Sequence, residues 1–121
     1  MSIKKSYLAG VMIGLGGLVN LVVGDWLGAL LFATGLLAIC INGYQLVTGR
    51  FGQLYTGEIT IVNIIFMFIF NMFGTATVAL CRTFGGNLVE VINNAYTIYL
   101  ARVAQPWYIH ITLGILCGIC I

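Results

Sequence analysis

Side chains with chemical reactivity are sparse in this sequence and do not cluster as a catalytic centre would. Among 121 residues there are four cysteines, one histidine and three acidic residues. Cys117 and Cys120 have the separation of a redox-active pair, but that chemistry needs an exposed thiolate near a helix N-terminus, and both lie in an apolar run. We therefore expect them to pack, and the sequence predicts no enzyme and no metal or cofactor site.

His110 and Arg50 are ionisable residues beside apolar runs of the sequence. His110 follows Trp107 and Tyr108, so a place at the membrane interface is favoured over a proton relay, although an ionisable residue inside a span would indicate function. Arg50 could attract anions into a vestibule, but an arginine near a helix end more commonly extends to the lipid headgroups. We favour that headgroup position.

The most unusual polar stretch runs from Asn42 to Gly52 and contains the glycines Gly43, Gly49 and Gly52. It follows an apolar helix, and irregular backbone at membrane depth survives only where it is buried in protein or lines a water-filled cavity. Thr48 lies within it, and its hydroxyl can both donate and accept a hydrogen bond. The pattern predicts a break that lines a permeation route. The alternative is a threonine that bonds to a carbonyl of its own helix.

The elements that would position these residues belong to a membrane protein. The chain is 61% apolar and 7% charged, whereas soluble domains average about 25% charged residues. Because a spanning helix needs about 20 mostly apolar residues, residues 1–121 form a single membrane domain. The net charge of +2 comes from scattered basic residues, so no nucleic-acid footprint is visible.

Apolar runs predict an all-α membrane protein with three transmembrane helices and the start of a fourth. The segment from 83 to 105 has apolar residues at helical spacing, which is typical of an interfacial amphipathic helix. The last run has about 13 residues, too few to span, so we expect a truncated chain. The three complete spans cover about residues 7–23, 26–43 and 59–81, and the incomplete fourth covers 109–121. The break follows the second span, at residues 43–52.

Small and amide residues predict close helix packing. Gly10 and Gly14 form a GxxxG pair, which lets another helix approach. Asn63 and Asn71 lie on roughly one helix face, where interhelical hydrogen bonding is the usual role of such residues.

Charged residues predict the orientation. Lys4 and Lys5 precede the first span, whereas the first connection carries only Asp25. Positive residues favour the cytoplasmic side. We therefore expect a multi-pass protein of the cell (inner) membrane with a cytoplasmic N-terminus.

In their order and spacing these features resemble the first half of the formate/nitrite transporter family. The resemblance rests on the glycine-rich first helix, on the break from Gly43 to Gly49, and on Asn71 three residues ahead of Gly74. It also includes the run Leu113-Gly114-Ile115-Leu116-Cys117 at the start of the fourth helix. Val47 stands where the family usually has phenylalanine.

The resemblance implies half of an aquaporin-like inverted-repeat fold, in which broken helices meet near the membrane midplane. It implies a channel or transporter for small monovalent anions such as formate or nitrite, which works in the lipid bilayer as a homo-oligomer, a pentamer in the family. The pathway would contain Leu46, Val47, Thr48 and Gly49, with Gly43, Gln45, Asn71 and Gly74 beside it.

The family's central histidine is absent here, since His110 does not match its motif, so a complete pore would need a second half or an inverted second copy.

Two alternatives stay open beside the transport reading. The chain could instead be a small nontransporting helical assembly protein or a degenerate half-gene, in which Gly10, Gly14 and the asparagines serve oligomerisation alone. A small multidrug exporter would match the length but relies on a carboxylate in the first helix, and residues 7–23 have none.

Overall fold

A computed structural model describes residues 2–83 and 88–120, of which residues 83, 88 and 117–120 are described by their backbone alone. These ranges are helical and contain no β-strand, which confirms the predicted all-α class. The predicted packing of the Cys117 and Cys120 side chains lies outside the described residues. The helices are α1 Ile3–Val23, α2 Asp25–Ile41, α3 Val47–Arg50, α4 Gly52–Tyr55, α5 Ile61–Thr83, α6 Leu88–Val103 and α7 Trp107–Cys120.

Two of these helices are long and apolar enough to cross a membrane. They cover Ile3–Val23 and Ile61–Arg82, and only 22% and 28% of their apolar windows is buried inside the protein. A core helix of a soluble protein would be mostly buried. The helix predicted as a further span, α2, has 17 residues, which is at the lower limit of spanning length.

The break after α2 is longer than the sequence predicted. Helix α2 ends at Ile41 and the next long helix begins at Ile61, with only the short helices α3 and α4 between them. Gly43 and Gly57 have φ angles of 60° and 76°, a left-handed conformation that ends a helix and that glycine adopts readily. The predicted break stopped at Gly52 and therefore did not include the second of these turns.

Helix α1 lies between α2 and α5 and contacts both. It is joined to α2 by a tight turn at Gly24, whose φ angle is 66° and whose backbone N–H donates to Asn20 O at 3.0 Å. The two helices form an antiparallel hairpin in which glycines allow close approach. A Cβ placed on Gly28 would lie 3.1 Å from Asn20 O, and one on Gly16 would lie 3.3 Å from Phe32 O.

Helices α1 and α5 run parallel, because residues further along α1 contact residues further along α5. Gly10 faces Asn71, and Gly14 faces Thr75 and Val78. A Cβ placed on Gly10 would lie 2.8 Å from Asn71 Cα, a distance that real side chains do not reach. Since α2 returns the chain, the break lies at the end of the bundle where α1 starts, level with the middle of α5, where Asn71 bonds Ser6 O.

The core is small and lies mainly between α1 and α5. Among the described residues, its buried polar members are Ser6 and Asn71. Helix α6 lies at the opposite end from the break, where the Asn94 amide donates to Leu21 O at 3.0 Å. The buried apolar side chains are Ala9, Ile39, Ile64, Met67 and Val78.

Candidate functional site at the helix break

The carboxamide of Asn71 connects three segments of the chain. Its Nδ2 donates to Ser6 O at 2.6 Å and to Gln45 O at 3.1 Å, while its Oδ1 accepts from the backbone N–H of Val47 at 3.0 Å. The residue is only 8% exposed. One buried amide on α5 thus holds α1 and both sides of the extended segment that precedes α3.

Gln45 is a second anchor of the same segment. Its Oε1 accepts hydrogen bonds from Ser2 N at 2.9 Å and from Ser6 Oγ at 3.4 Å. Its backbone N–H donates to Lys5 O at 3.3 Å. The N–H and C=O of Gln45 and the N–H of Val47 are therefore paired within the protein, as irregular backbone away from water requires.

Thr48 lies in the first turn of α3 with an exposed side chain. Thr75 and Thr77 both donate to the carbonyl four residues earlier in their own helix. No such bond is present at Thr48, nor does its hydroxyl bond any other group in the part of the chain that the structure describes. The alternative of a back-bonded threonine does not hold for this residue, and its hydroxyl is available to a ligand.

Two apolar grooves meet at Leu46. The first, the α2 groove, has a volume of about 500 Å³ and lies between the end of α2 and the break; Gly43, Thr48 and Gly49 line it. The second, the α5 groove, has a volume of about 430 Å³ and is lined by Val47 and α5. Leu46 lines both grooves, so its side chain separates them.

A third cavity, the polar chamber, lies on the α4 side of the break and has a volume of about 210 Å³. The guanidinium of Arg50 stands at its wall, where Nη1 donates to Gln53 Oε1 at 2.7 Å. Gln53, three residues later, orients the guanidinium along the wall of this chamber, and the headgroup position of Arg50 stays a prediction. The chamber is lined by Gln45, Arg50, Gln53, Glu58, Ile59, Asn63 and Met67.

The predicted site residues divide into two groups in the structure. Gly10, Gly14 and Gly74 lie in the α1–α5 contact beside Asn71, whereas Gly43 and Gly49 have open space around them at the α2 groove. His110 is exposed on α7 and lines none of these three cavities.

Sequence reasoning missed Ser6 and Gln53. Ser6 is fully buried and bonded to Asn71 and Gln45 through its backbone and side chain. No local signal at Ser6 indicates a partner 65 positions away. Gln53 could have been found, because it stands three residues after Arg50, a spacing at which helical side chains meet.

No group of histidine, cysteine and acidic side chains that could hold a metal ion occurs in the described ranges. The arrangement offers instead an ordered backbone, a free hydroxyl at Thr48 and a guanidinium at Arg50. These groups can donate hydrogen bonds to an anion without covalent chemistry. Comparison with protein-family models, with curated proteins and with solved structures finds no match to this chain.

Proposed function

We propose that this protein is a membrane channel or transporter for small monovalent anions such as formate or nitrite, with the anchored break as part of its pathway. The observation that carries the proposal is the irregular segment at residues 45–47, whose backbone is held by Asn71 and by the carbonyl of Lys5. A chain that orders such a segment between apolar helices places polar groups where lipid alone could not accommodate them.

The membrane setting is supported by the surface of the long helices. Large apolar side chains such as Phe66, Phe73 and Leu37 are 48%, 61% and 59% exposed. Soluble monomers rarely expose contiguous apolar patches of more than a few hundred Å². We propose that α1, α2 and α5 all span the cell (inner) membrane, with the N-terminus at the cytoplasmic side because Lys4 and Lys5 lie at the start of α1.

The proposed path runs past Leu46, from the α2 groove to the α5 groove. Leu46 and the half-buried Val47 would act as an apolar constriction, of the kind that controls passage in channels by excluding water. The Thr48 hydroxyl, which lines the α2 groove, would donate a hydrogen bond to the anion as it loses its hydration. Gly49 next to it leaves space for the anion, since nothing lies within 4 Å of a Cβ placed there.

Both grooves are open to the outside of the protein. We propose that a second half-repeat covers them, supplied by further polypeptide or by an inverted second copy, as in transporters built from inverted repeats. A homo-oligomer, pentameric as in the family that the motifs resemble, would then carry one path per protomer.

Uptake by liposomes tests this function. The purified protein is reconstituted, and entry of radiolabelled formate or of nitrite is compared with that into empty liposomes. We expect uptake by the protein-containing liposomes, and we expect Thr48→Ala to slow it. Thr56→Ala is the matched control, because Thr56 is exposed and bonds only locally to Gln53 O. Uptake no faster than in empty liposomes would contradict the proposal.

The second candidate is a nontransporting assembly protein. It would use the small residues of α1 between chains, whereas here Gly10 and Gly14 contact α5 of the same chain. Those glycines therefore have no free surface for a helix of a partner chain, and an assembly role would need another face of the protein.

A further inference from the structure

We propose that the polar chamber beside the break binds a small oxyanion, with Arg50 as its cationic ligand. The choice of formate and nitrite as ligands rests on the proposed function. The existence of the site rests on the chamber's own residues. The chamber would be a holding site next to the pathway, since Arg50 lines both the chamber and the α2 groove that contains Thr48.

The guanidinium is held in place and retains donors for a ligand. Arg50 is half-buried, and its Nη1 is fixed by the 2.7 Å bond to Gln53 Oε1. A guanidinium has five N–H donors in a planar fork, and that fork matches the two oxygens of a carboxylate or of nitrite. Fixing one nitrogen therefore orients the others without consuming them.

Two amides add donors from other sides of the chamber. Asn63 is half-buried on α5 and lines the chamber, and within the described residues its carboxamide makes no hydrogen bond. Gln45 uses its Oε1 to accept from Ser2 and Ser6, which leaves its Nε2 to donate. The base of the chamber is closed by Met67, which is 1% exposed. Arg50, Asn63 and Gln45 thus offer N–H donors to an anion, while Glu58 adds a carboxylate to the same lining.

The charges around the chamber fit an anion that is held and released. Glu58 lines the chamber with an exposed carboxylate. Arg50 donates a hydrogen bond to Gln53 instead of forming an ion pair with Glu58. Lys4 and Lys5 lie at the same end of the bundle and are exposed, so they add positive potential. Glu58 opposes the anion and lowers its affinity, as a site on a transport route requires if the ion is to leave.

Binding to the full chain tests this site. The protein is placed in phosphatidylcholine nanodiscs, and equilibrium binding of radiolabelled formate is measured. We expect Arg50→Gln to weaken binding about tenfold or more, the order of one charge-assisted hydrogen bond, and Asn63→Ala to weaken it by a smaller factor. Arg102→Gln is the matched control, because Arg102 is exposed in the last turn of α6 and does not line the chamber. Arg102→Gln should bind formate with the affinity of the wild-type protein.

Glu58→Gln separates a site from a folding defect. Removal of the carboxylate should tighten formate binding several-fold, a gain that misfolding does not produce. Failure of wild type to bind formate, or equal affinities for Arg50→Gln and Arg102→Gln, would overturn the site. If Arg50→Gln binds normally while Thr48→Ala loses liposome uptake, the chamber proposal fails and the transport proposal stands. If binding depends on Arg50 while wild type transports nothing, the chamber stands and the transport proposal fails.

Discussion

The side-chain oxygen of Asn71 accepts a hydrogen bond from the backbone N–H of Val47 at 3.0 Å. Asn71 lies in the middle of a continuous helix, whereas Val47 is the first residue of the short helix that follows the break. The first amides of any helix lack partners within that helix. Asn71, on a distant helix, supplies the missing acceptor for the N–H of Val47. It thereby fixes the residue at which the chain becomes helical again after α2.

Asn71→Leu should loosen the break without removing volume. The change removes the Asn71 partner of Val47 N–H and of Gln45 O, and each unsatisfied buried group costs about 1–3 kcal/mol. We expect lower stability and faster amide hydrogen exchange at residues 42–50, measured by mass spectrometry. Asn63→Leu on the same helix is the control, and equal exchange in both variants would show that Asn71 does not hold the break.

Gly74→Ala should weaken the α1–α5 contact. A Cβ there would lie 2.7 Å from Val11 N, so the helices must move apart, and overpacking of this kind costs about 1–3 kcal/mol. Gly17→Ala on α1 meets nothing within 4 Å and should be neutral or stabilising by up to about 1 kcal/mol through helix propensity. Thermal unfolding in detergent measures both, and a Gly74→Ala protein as stable as Gly17→Ala would refute this packing.

Leu46→Ala should speed anion uptake by liposomes. Leu46 separates the α2 and α5 grooves, and the smaller side chain would join them into a wider passage. Leu37→Ala serves as the control, because Leu37 is 59% exposed on α2 and lines neither of these two grooves. Slower or unchanged uptake with Leu46→Ala would exclude it as the constriction.

The two ends of the bundle should face opposite sides of the membrane. Glu58 and Glu90 are both exposed acids; Glu58 lies at the break end, and Glu90 lies on α6 at the other end. In a background from which the four native cysteines are removed, Glu90→Cys should react with an impermeant maleimide on intact cells. Glu58→Cys should react only after permeabilisation, and the reverse pattern would place the N-terminus outside.

Much of the helical framework could be predicted from local features of the chain. Apolar runs indicated the two long helices that the structure contains, since burial from water or contact with lipid requires such runs. Gly43 marked the end of α2 because a φ angle of 60° is adopted readily only by a residue without a Cβ. The predicted break is too short because it ends at Gly52 and leaves out the second left-handed turn at Gly57.

Local features also indicated Asn71 and Thr48 as polar residues at unusual positions, but not their surroundings. Asn71 meets Gln45 and Ser6 across 26 and 65 positions of the chain, and such pairs depend on the register in which α1 and α5 pack. Only the folded chain leaves the Thr48 hydroxyl unbonded and turns Arg50 toward Gln53. Helix formation follows from each segment's own residues, whereas hydrogen-bond partners and cavities arise where separate segments meet, and that is why the candidate site emerged only from the packing.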